Sequence, residues 1–294
     1  MITSKSNAKV KNVVDLQKHA KTRAEQKAYI VEGLKMFREL SHESIKEVFV
    51  TDEFAKEHEE LLHGLPVEIV DERIFSQMAD TKTPQGIICV VKWAEYDLEG
   101  MMRLRVKPAM TMGRAMAMDR ATAMDSAVAM DRAMAMDSAV REAQPFLMIL
   151  EDLQDPGNVG TIFRTAEGAG INGIILSKNC VDVYNPKTVR GAMGSISRVP
   201  FIYAEDLIEV LEQLKVANIR TYAAHLDGVK MYDQADYKNG CAFLIGNEGK
   251  GLSEKLARAS DELVKIEMKG EVESLNAAIA ATVLMYEGAR QRRG

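Results

Sequence analysis

The densest chemistry-bearing stretch lies towards the carboxyl end. Phe243-Leu-Ile-Gly-Asn-Glu-Gly-Lys-Gly-Leu-Ser253 sets glycines at 246, 249 and 251 behind an apolar strand running from Cys241 to Ile245. Ser253 is suited to cap the helix that follows. A second strand is expected at Leu263–Met268, running into Lys269-Gly270, then Glu273-Ser-Leu-Asn276 and a long apolar helix to Arg290. Two strand–loop–helix units with small, polar turns suit a pocket at the carboxyl ends of neighbouring parallel strands. Glycine lets the backbone approach a ligand closely, and Ser274 and Asn276 offer hydroxyl and amide contacts. Spacing alone defines a pocket and no particular ligand. A separate G-x-G-x-x-G run, Gly168-Ala-Gly-Ile-Asn-Gly173, spells the dinucleotide fingerprint, but a helix precedes it and a strand follows. That order is reversed, so the run reads as a helix C-cap and tight turn and gives no support to a nicotinamide enzyme.

Three segments carry a resemblance. Asp155-Pro-Gly-Asn-Val-Gly-Thr-Ile-Phe-Arg-Thr-Ala166, Ile245-Gly-Asn-Glu-Gly-Lys-Gly-Leu252 with Ile266-Glu-Met268, and Ser274-Leu-Asn276 resemble, in order, the motifs of the SpoU/TrmH family of RNA ribose 2′-O-methyltransferases. The resemblance covers roughly residues 146 to 292. It implies S-adenosyl-L-methionine as methyl donor, RNA (rRNA or tRNA) as substrate, and a SPOUT-type trefoil-knot domain. It also implies a homodimer built on the last helix and the first motif. Onto the matching positions it carries Arg164, Asn158, Glu248, Ser274 and Asn276 as catalytic residues. Gly246, Ile266 and Leu275 are carried over as cofactor contacts, with Leu226 and Met268 as weaker candidates for the same pocket.

Methyl transfer is a direct displacement, so aligning the ribose oxygen with the methyl group carries much of the rate. The hydroxyl must also lose a proton, and its pKa lies far above neutrality. The resemblance points to Arg164 for that task, although a guanidinium stays protonated in proteins. The physical reading is that Arg164 pairs with an RNA phosphate and lowers the hydroxyl pKa by its charge. Each residue also has a plainer role open to it. Arg164 could form a salt bridge to Glu167 or Asp155, and Asn158 could cap its helix. Glu248, if buried, needs Arg164 or a cluster of backbone amides as partner. Ser274 and Asn276 could cap the last helix, while Ile266 and Leu275 could serve as core.

These residues need elements to position them. From Phe146 onward strands and helices alternate strictly: strands at 146–150, 173–176, 199–203 and 220–224, helices at 158–168, 186–193 and 207–217. This pattern implies an α/β domain, a parallel sheet with helices on both faces, over residues 144–294. Residues 1–95 read as a small α/β module with helix 10–16, strands 48–50, 67–70 and 87–91, a helix 53–62 and a short helix ending at Met78. Through Ser6-Asn7, Val10-Lys11, Glu32-Gly33 and the turn Thr83-Pro-Gln-Gly86 it resembles the ribosomal-protein-like RNA substrate-binding domain of many SpoU enzymes, those acting on rRNA in particular. Residues 96–143 differ in kind. Ala117–Val128 returns as Ala129–Val140 with Thr122 replaced by Met134 as the one change. The internal six-residue period turns a helix by about 600°, which scatters the methionines over three faces. No stripe forms to dock on a core, so this stretch is expected to be a low-complexity linker.

Composition bounds the rest. At 294 residues, with 47% hydrophobic and 28% charged residues, the chain suits two soluble domains. No stretch approaches the roughly 20 apolar residues of a membrane span, and the amino terminus lacks the core of a secretory signal. Cysteines 89, 180 and 241 are odd in number and scattered, as expected of reduced thiols in a cytoplasm, and histidines 19, 42, 58, 63 and 225 lack ligand spacing. No metal is expected. Net charge is −5, yet residues 1–38 carry nine Lys/Arg (5, 9, 11, 18, 21, 23, 27, 35, 38) against three acids, a local +6. That segment is expected to present a basic face to phosphates. The competing reading is a catalytically inactive RNA-binding or ribosome-assembly factor on the same scaffold. Retention of all five carried-over catalytic residues argues against it.

Overall fold

The structure, a computed structural model, describes residues 1–103 and 144–293. The expected repeat at 117–140 lies outside the described residues. Strands are numbered in chain order.

The amino-terminal half is a four-stranded sheet in the order β1 (Ala28–Glu32), β4 (Ile87–Lys92), β2 (Ile45–Val50), β3 (Val67–Ile69). Its strands alternate as a sheet buried on both faces must. Ala28 and Ile30 of β1, with Ile88 and Val90 of β4, face the helices Ala8–Lys18 and Glu72–Met78, packing with Val13, Leu16, Phe75 and Met78. Tyr29, Val31, Ile87, Cys89 and Val91 point the other way, into a core continuous with that of the carboxyl-terminal half. The expected helix 53–62 is broken at His58, which leaves Asp52–Glu57 and Glu59–Leu62.

The carboxyl-terminal half is a seven-stranded sheet in the order β7 (Phe201–Ala204), β6 (Gly173–Ser177), β5 (Phe146–Leu150), β10 (Cys241–Ile245), β8 (Arg220–Ala224), β11 (Glu262–Lys265), β9 (Lys230–Met231), with every pairing parallel. Alternation again splits the side chains. Phe146, Met148, Leu150, Phe243 and Ile245 meet one helical layer, and Leu147, Ile149, Ala242 and Leu244 meet the other. The expected two-faced parallel sheet is therefore present.

Four further details depart from expectation. Strand Leu263–Met268 stops at Lys265, and Ile266–Met268 leave the sheet. Leu98–Arg103, inside the expected linker, is a helix with Met101 buried at 1% exposure. Met101 fills the space above Gly173, where any Cβ would overlap its side chain. The helix Ala20–Gln26 and the short strand β9 had no periodic signal to announce them. Among the described residues no helix is long and apolar enough to cross a membrane, and no group of three or more His, Cys, Asp or Glu could hold a metal ion.

Candidate active site

The helix Pro156–Ala169 begins at the carboxyl end of β5. Asp155 is its N-cap and accepts the Asn158 amide at 2.9 Å, with Pro156 in the first turn where a missing N–H costs nothing. The helix ends at Gly170, whose φ of 80° is the left-handed cap anticipated for the misleading glycine run. Along its length it presses on the helix Pro186–Ala192. A Cβ on Gly160 would stand 2.7 Å from the Thr188 carbonyl oxygen and 3.0 Å from the Gly191 Cα.

Asn158 thus does not cap its helix. Its Nδ2 donates to Glu248 Oε1 at 3.1 Å, and its Oδ1 accepts from Asn276 Nδ2 at 2.9 Å. Glu248 also accepts the Asp155 amide on Oε1 at 3.0 Å and the Gln154 amide on Oε2 at 3.1 Å. Burial works against its charge, but the bonds from Asn158 and these amides outweigh that and hold the carboxyl below its ordinary value of 4.5. Of the two partners expected for Glu248, the amide cluster is the one present; Arg164 does not pair with it. Asn276 caps the last helix, Ala277–Arg292, by accepting the amides of Ala278 at 2.9 Å and Ile279 at 3.3 Å. It therefore caps its helix with one side-chain atom and reaches Asn158 with the other. One hydrogen-bonded chain, Glu248–Asn158–Asn276, joins all three sequence motifs.

Beside this chain lies a cleft of about 420 Å³, lined by Leu226, Gly246, Glu248, Ile266, Met268, Ser274 and Leu275 among others. Seven of the ten residues singled out from sequence thus share one cavity, of a size that takes a small molecule or cofactor. The glycine turn closes on itself through paired bonds, Asn247 N to Gly251 O at 3.1 Å and Gly251 N to Asn247 O at 2.8 Å. A Cβ on Gly246 would fall well inside 3.0 Å of the Gly251 carbonyl and the Leu252 nitrogen, both backbone. Only glycine fits there.

Sequence reasoning missed Asn247, which sits inside the quoted motif. Its Nδ2 donates to the Asp152 carbonyl at 2.7 Å, and its Oδ1 accepts the amides of Gly249 and Lys250 at 3.0 and 3.1 Å. It ties the glycine turn to the loop after β5. Asp152, left-handed at φ 54°, gave no sequence signal at all. His225, Asp227 and Glu273 also line the cleft without having been anticipated.

Arg164 stands apart. It is exposed, does not line the cleft, and among the described residues makes no hydrogen bond or ion pair. Neither alternative salt bridge is formed among the described residues, and both carboxylates have other partners. Glu167 binds Arg198 and the Ser195 hydroxyl, and Asp155 binds Lys187 at 3.3 Å. The Arg198 guanidinium beside Glu167 holds that carboxyl below its usual range, and the Asn158 amide, ahead of Lys187, does the same for Asp155. Ser274 is exposed at the cleft edge.

The expected basic face is partly consumed. Lys9 pairs with Glu47 and Glu68, Lys21 with Glu25 and Lys27 with Glu95, while Arg23 is buried against Asp182. Lys5, Lys11, Lys18, Lys35 and Arg38 remain exposed.

Fold and site together define an α/β enzyme half with a cofactor-sized cleft at a parallel sheet's carboxyl edge, joined to a smaller sheet domain. Residues 145–286 match the SpoU rRNA Methylase family and residues 7–89 the MRM3-like substrate binding domain. The carboxyl-terminal half is thus similar to the SpoU rRNA methylases. It is 28% identical over 287 residues, 97% of each chain, to the 23S rRNA (guanosine(2553)-2′-O)-methyltransferase RlmP of Bacillus subtilis. It is 33% identical over 155 residues to the 23S rRNA (guanosine-2′-O-)-methyltransferase RlmB of Bordetella pertussis, a match to 52% of this chain and 61% of that protein. Among solved structures it resembles the AdoMet-bound rRNA methyltransferase of Sinorhizobium meliloti, at 27% identity and TM-score 0.77 over 98% of this chain and 97% of that one. The AdoMet complex of the SpoU methyltransferase AviRb from Streptomyces viridochromogenes shares the fold at 24% identity and TM-score 0.77, over 98% of this chain and 99% of the other.

Proposed function

We propose that the protein methylates a ribose 2′-hydroxyl in ribosomal RNA, with S-adenosyl-L-methionine as donor. The observation that carries this reading is the convergence of three motifs, distant in sequence, on one hydrogen-bonded chain, Glu248–Asn158–Asn276, at the edge of a cleft of about 420 Å³. The cleft fits the donor. Gly246 leaves room for nothing but backbone at one wall, Ile266 and Leu275 offer apolar surface to a base, and Glu248 brings a carboxylate close by. Leu226 and Met268 extend the apolar wall. When bound, the donor supplies an electrophilic methyl group.

The chain's own residues do the rest. Glu248 holds the loop Gln154–Asn158 against the glycine turn through three bonds, which fixes the distance between cofactor wall and helix start. Asn158 is oriented by having an acceptor on one side and a donor on the other, and so presents a defined face to the target nucleotide. Arg164, with no anion partner among the described residues, pairs with a substrate phosphate and favours loss of the hydroxyl proton. Ser274 contributes a hydroxyl at the same edge. The rRNA relatives favour ribosomal over transfer RNA. Ile279 and Tyr286, 49% and 47% exposed on the last helix, support a homodimer through that face, and rRNA as substrate points to the cytoplasm.

The test is tritiated methyl incorporation into bulk rRNA and tRNA from a strain lacking the gene, comparing wild type with Arg164→Ala and mapping any labelled ribose. Label in rRNA that disappears with Arg164→Ala supports the reading. No label in either RNA, with no AdoMet binding by calorimetry, sinks it in favour of a non-catalytic RNA-binding role.

A further inference from the structure

Arg23 belongs to the basic amino-terminal segment yet is 3% exposed. Its Nη1 donates to the carbonyls of Leu16 at 2.6 Å and Gln17 at 3.0 Å, two of the acceptors left over at the end of the helix Ala8–Lys18. Its Nε and Nη2 donate to Asp182 Oδ2 at 2.8 and 2.6 Å, across the junction between the two halves. Asp182 is itself held, since its Oδ1 accepts the Tyr184 amide at 2.9 Å and its carbonyl accepts the Asn185 amide at 2.9 Å. One guanidinium thus ties a helix end of the smaller domain to the turn that starts the helix Pro186–Ala192 of the larger.

The neighbouring contacts reinforce it. Trp93 stacks on Tyr184 at 4.6 Å and 16°, and Tyr29 lies on the same ring at 4.6 Å. Asp80 pairs with Arg190, and Glu39 with Arg198 at 2.9 Å, each across the junction. From there the path to the site is short and stiff. The helix Pro186–Ala192 touches the helix Pro156–Ala169 backbone to backbone at Gly160 and Gly191, and the second helix carries Asn158 and Arg164.

We propose that Arg23 is a positioning residue: it locks the substrate-binding half to the catalytic half, so that RNA held by the first meets the methyl-transfer cleft in one fixed register. The inference rests on the proposed methyltransferase reading. It assigns the coupling between halves to a docked interface and not to the tether between them. Lysine at this position keeps the charge but cannot span Asp182 and two carbonyls at once, because it lacks the planar fork.

The experiment compares wild type, Arg23→Lys, Arg23→Met and Asp182→Asn. Spin labels at Glu60→Cys and Val216→Cys, exposed positions in separate halves, report the interdomain distance, and the native cysteines are buried. Methyl transfer to rRNA gives kcat and KM, and calorimetry gives the AdoMet Kd. Wild type should show one narrow distance. Arg23→Met should broaden it and raise KM for RNA at least tenfold, leaving AdoMet Kd and kcat within twofold, with Arg23→Lys and Asp182→Asn between. An unchanged distance distribution, an unchanged KM, or a parallel loss of AdoMet affinity overturns the proposal, the last because it marks a general loss of stability. Wild type without methyl transfer would defeat the functional reading, and the distance measurement would still decide the clamp.

Discussion

Substituting alanine at each glycine of the 246–251 turn tests the site without touching any charged group. At Gly246 the new Cβ meets the backbone of Gly251 and Leu252 inside 3.0 Å, while ordinary contact begins at 3.4 Å. The walls of the turn must therefore part by roughly 1 Å, and no flexible side chain is there to yield. Overpacking of this kind costs about 1–3 kcal/mol, and an obstacle made of the Gly251–Leu252 backbone puts Gly246→Ala at the upper end, about 3 kcal/mol. If the turn opens, the cost appears as lost AdoMet affinity, about two decades in Kd at roughly 1.4 kcal/mol per decade. If it strains, the cost appears as a lower Tm. The sum of the two effects is what the geometry fixes. Gly251, at φ +70° with nothing within 4 Å of its Cβ position, should lose only the left-handed penalty, about 1–2 kcal/mol. Gly249, whose Cβ would meet only Asn247 Oδ1 at 3.7 Å, should be close to neutral. Calorimetric AdoMet titration and thermal unfolding of the three variants give the ranking directly. Gly246→Ala behaving like Gly249→Ala would refute the argument that this turn is a close-fitting cofactor wall.

Arg164→Ala should abolish methyl transfer yet leave AdoMet Kd within twofold and Tm within about 1 °C, because the side chain is exposed and unpartnered among the described residues; a clear fall in Tm would reveal a structural role instead. Asn276→Asp keeps the cap, since the new carboxylate still accepts the Ala278 and Ile279 amides, but it loses the donor to Asn158 and sets two acceptors face to face. Stability should hold while turnover falls at least tenfold, and equal loss of both would show that capping is the whole of its role. Glu248 has a depressed folded pKa, so its stabilising contribution is present above the ordinary 4.5 and is lost as pH falls through the lower folded value. Thermal stability measured from pH 7 to pH 3 should therefore drop more steeply in wild type than in Glu248→Gln, and identical slopes would remove Glu248 from the account.

What could be read from sequence was whatever repeats locally. Continuous apolar runs located β5 and β10, which are buried on both sheet faces, and the expected strand 220–224 coincides with β8. Leu263–Met268 was overextended for the same reason. Ile266 and Met268 are apolar because they line the cleft, and hydropathy does not separate a cavity wall from a core strand. The helix Leu98–Arg103 escaped because it docks by a single methionine into a glycine gap, a fit with no period to detect. Charge counting failed at Arg23 for a related reason. Sequence records that a guanidinium is there, but the carboxylate that neutralises it lies across the junction, at Asp182. The motif residues were found by resemblance, whereas which partner each would choose was a question of geometry. Glu248 took amides over Arg164, and Asn158 left the cap to Asp155.

That choice of partners bears on the chemistry. Between Arg164 and Arg292 the described residues include arginines at 190, 198, 220, 258, 290 and 292. Each is committed within the chain: to Asp80, to Glu39 and Glu167, to Glu262, to Glu254, to Glu287, and to the carbonyls of Gln144, Pro145, Tyr237 and Asn239. Arg164 alone in that series has no anion or carbonyl among the described residues. The two acids near enough in sequence to neutralise it are both occupied, Glu167 by Arg198 and Asp155 by Lys187. The arrangement keeps one fork-shaped cation available on the helix that also carries Asn158. A polyanionic substrate can then engage it without first displacing an internal partner, so the full charge-assisted bond is realised on binding. A carboxylate introduced one turn away, as in Gly168→Glu, would supply the missing partner and should weaken RNA binding while sparing AdoMet affinity; unchanged RNA affinity would show that the vacancy beside Arg164 has no part in substrate capture.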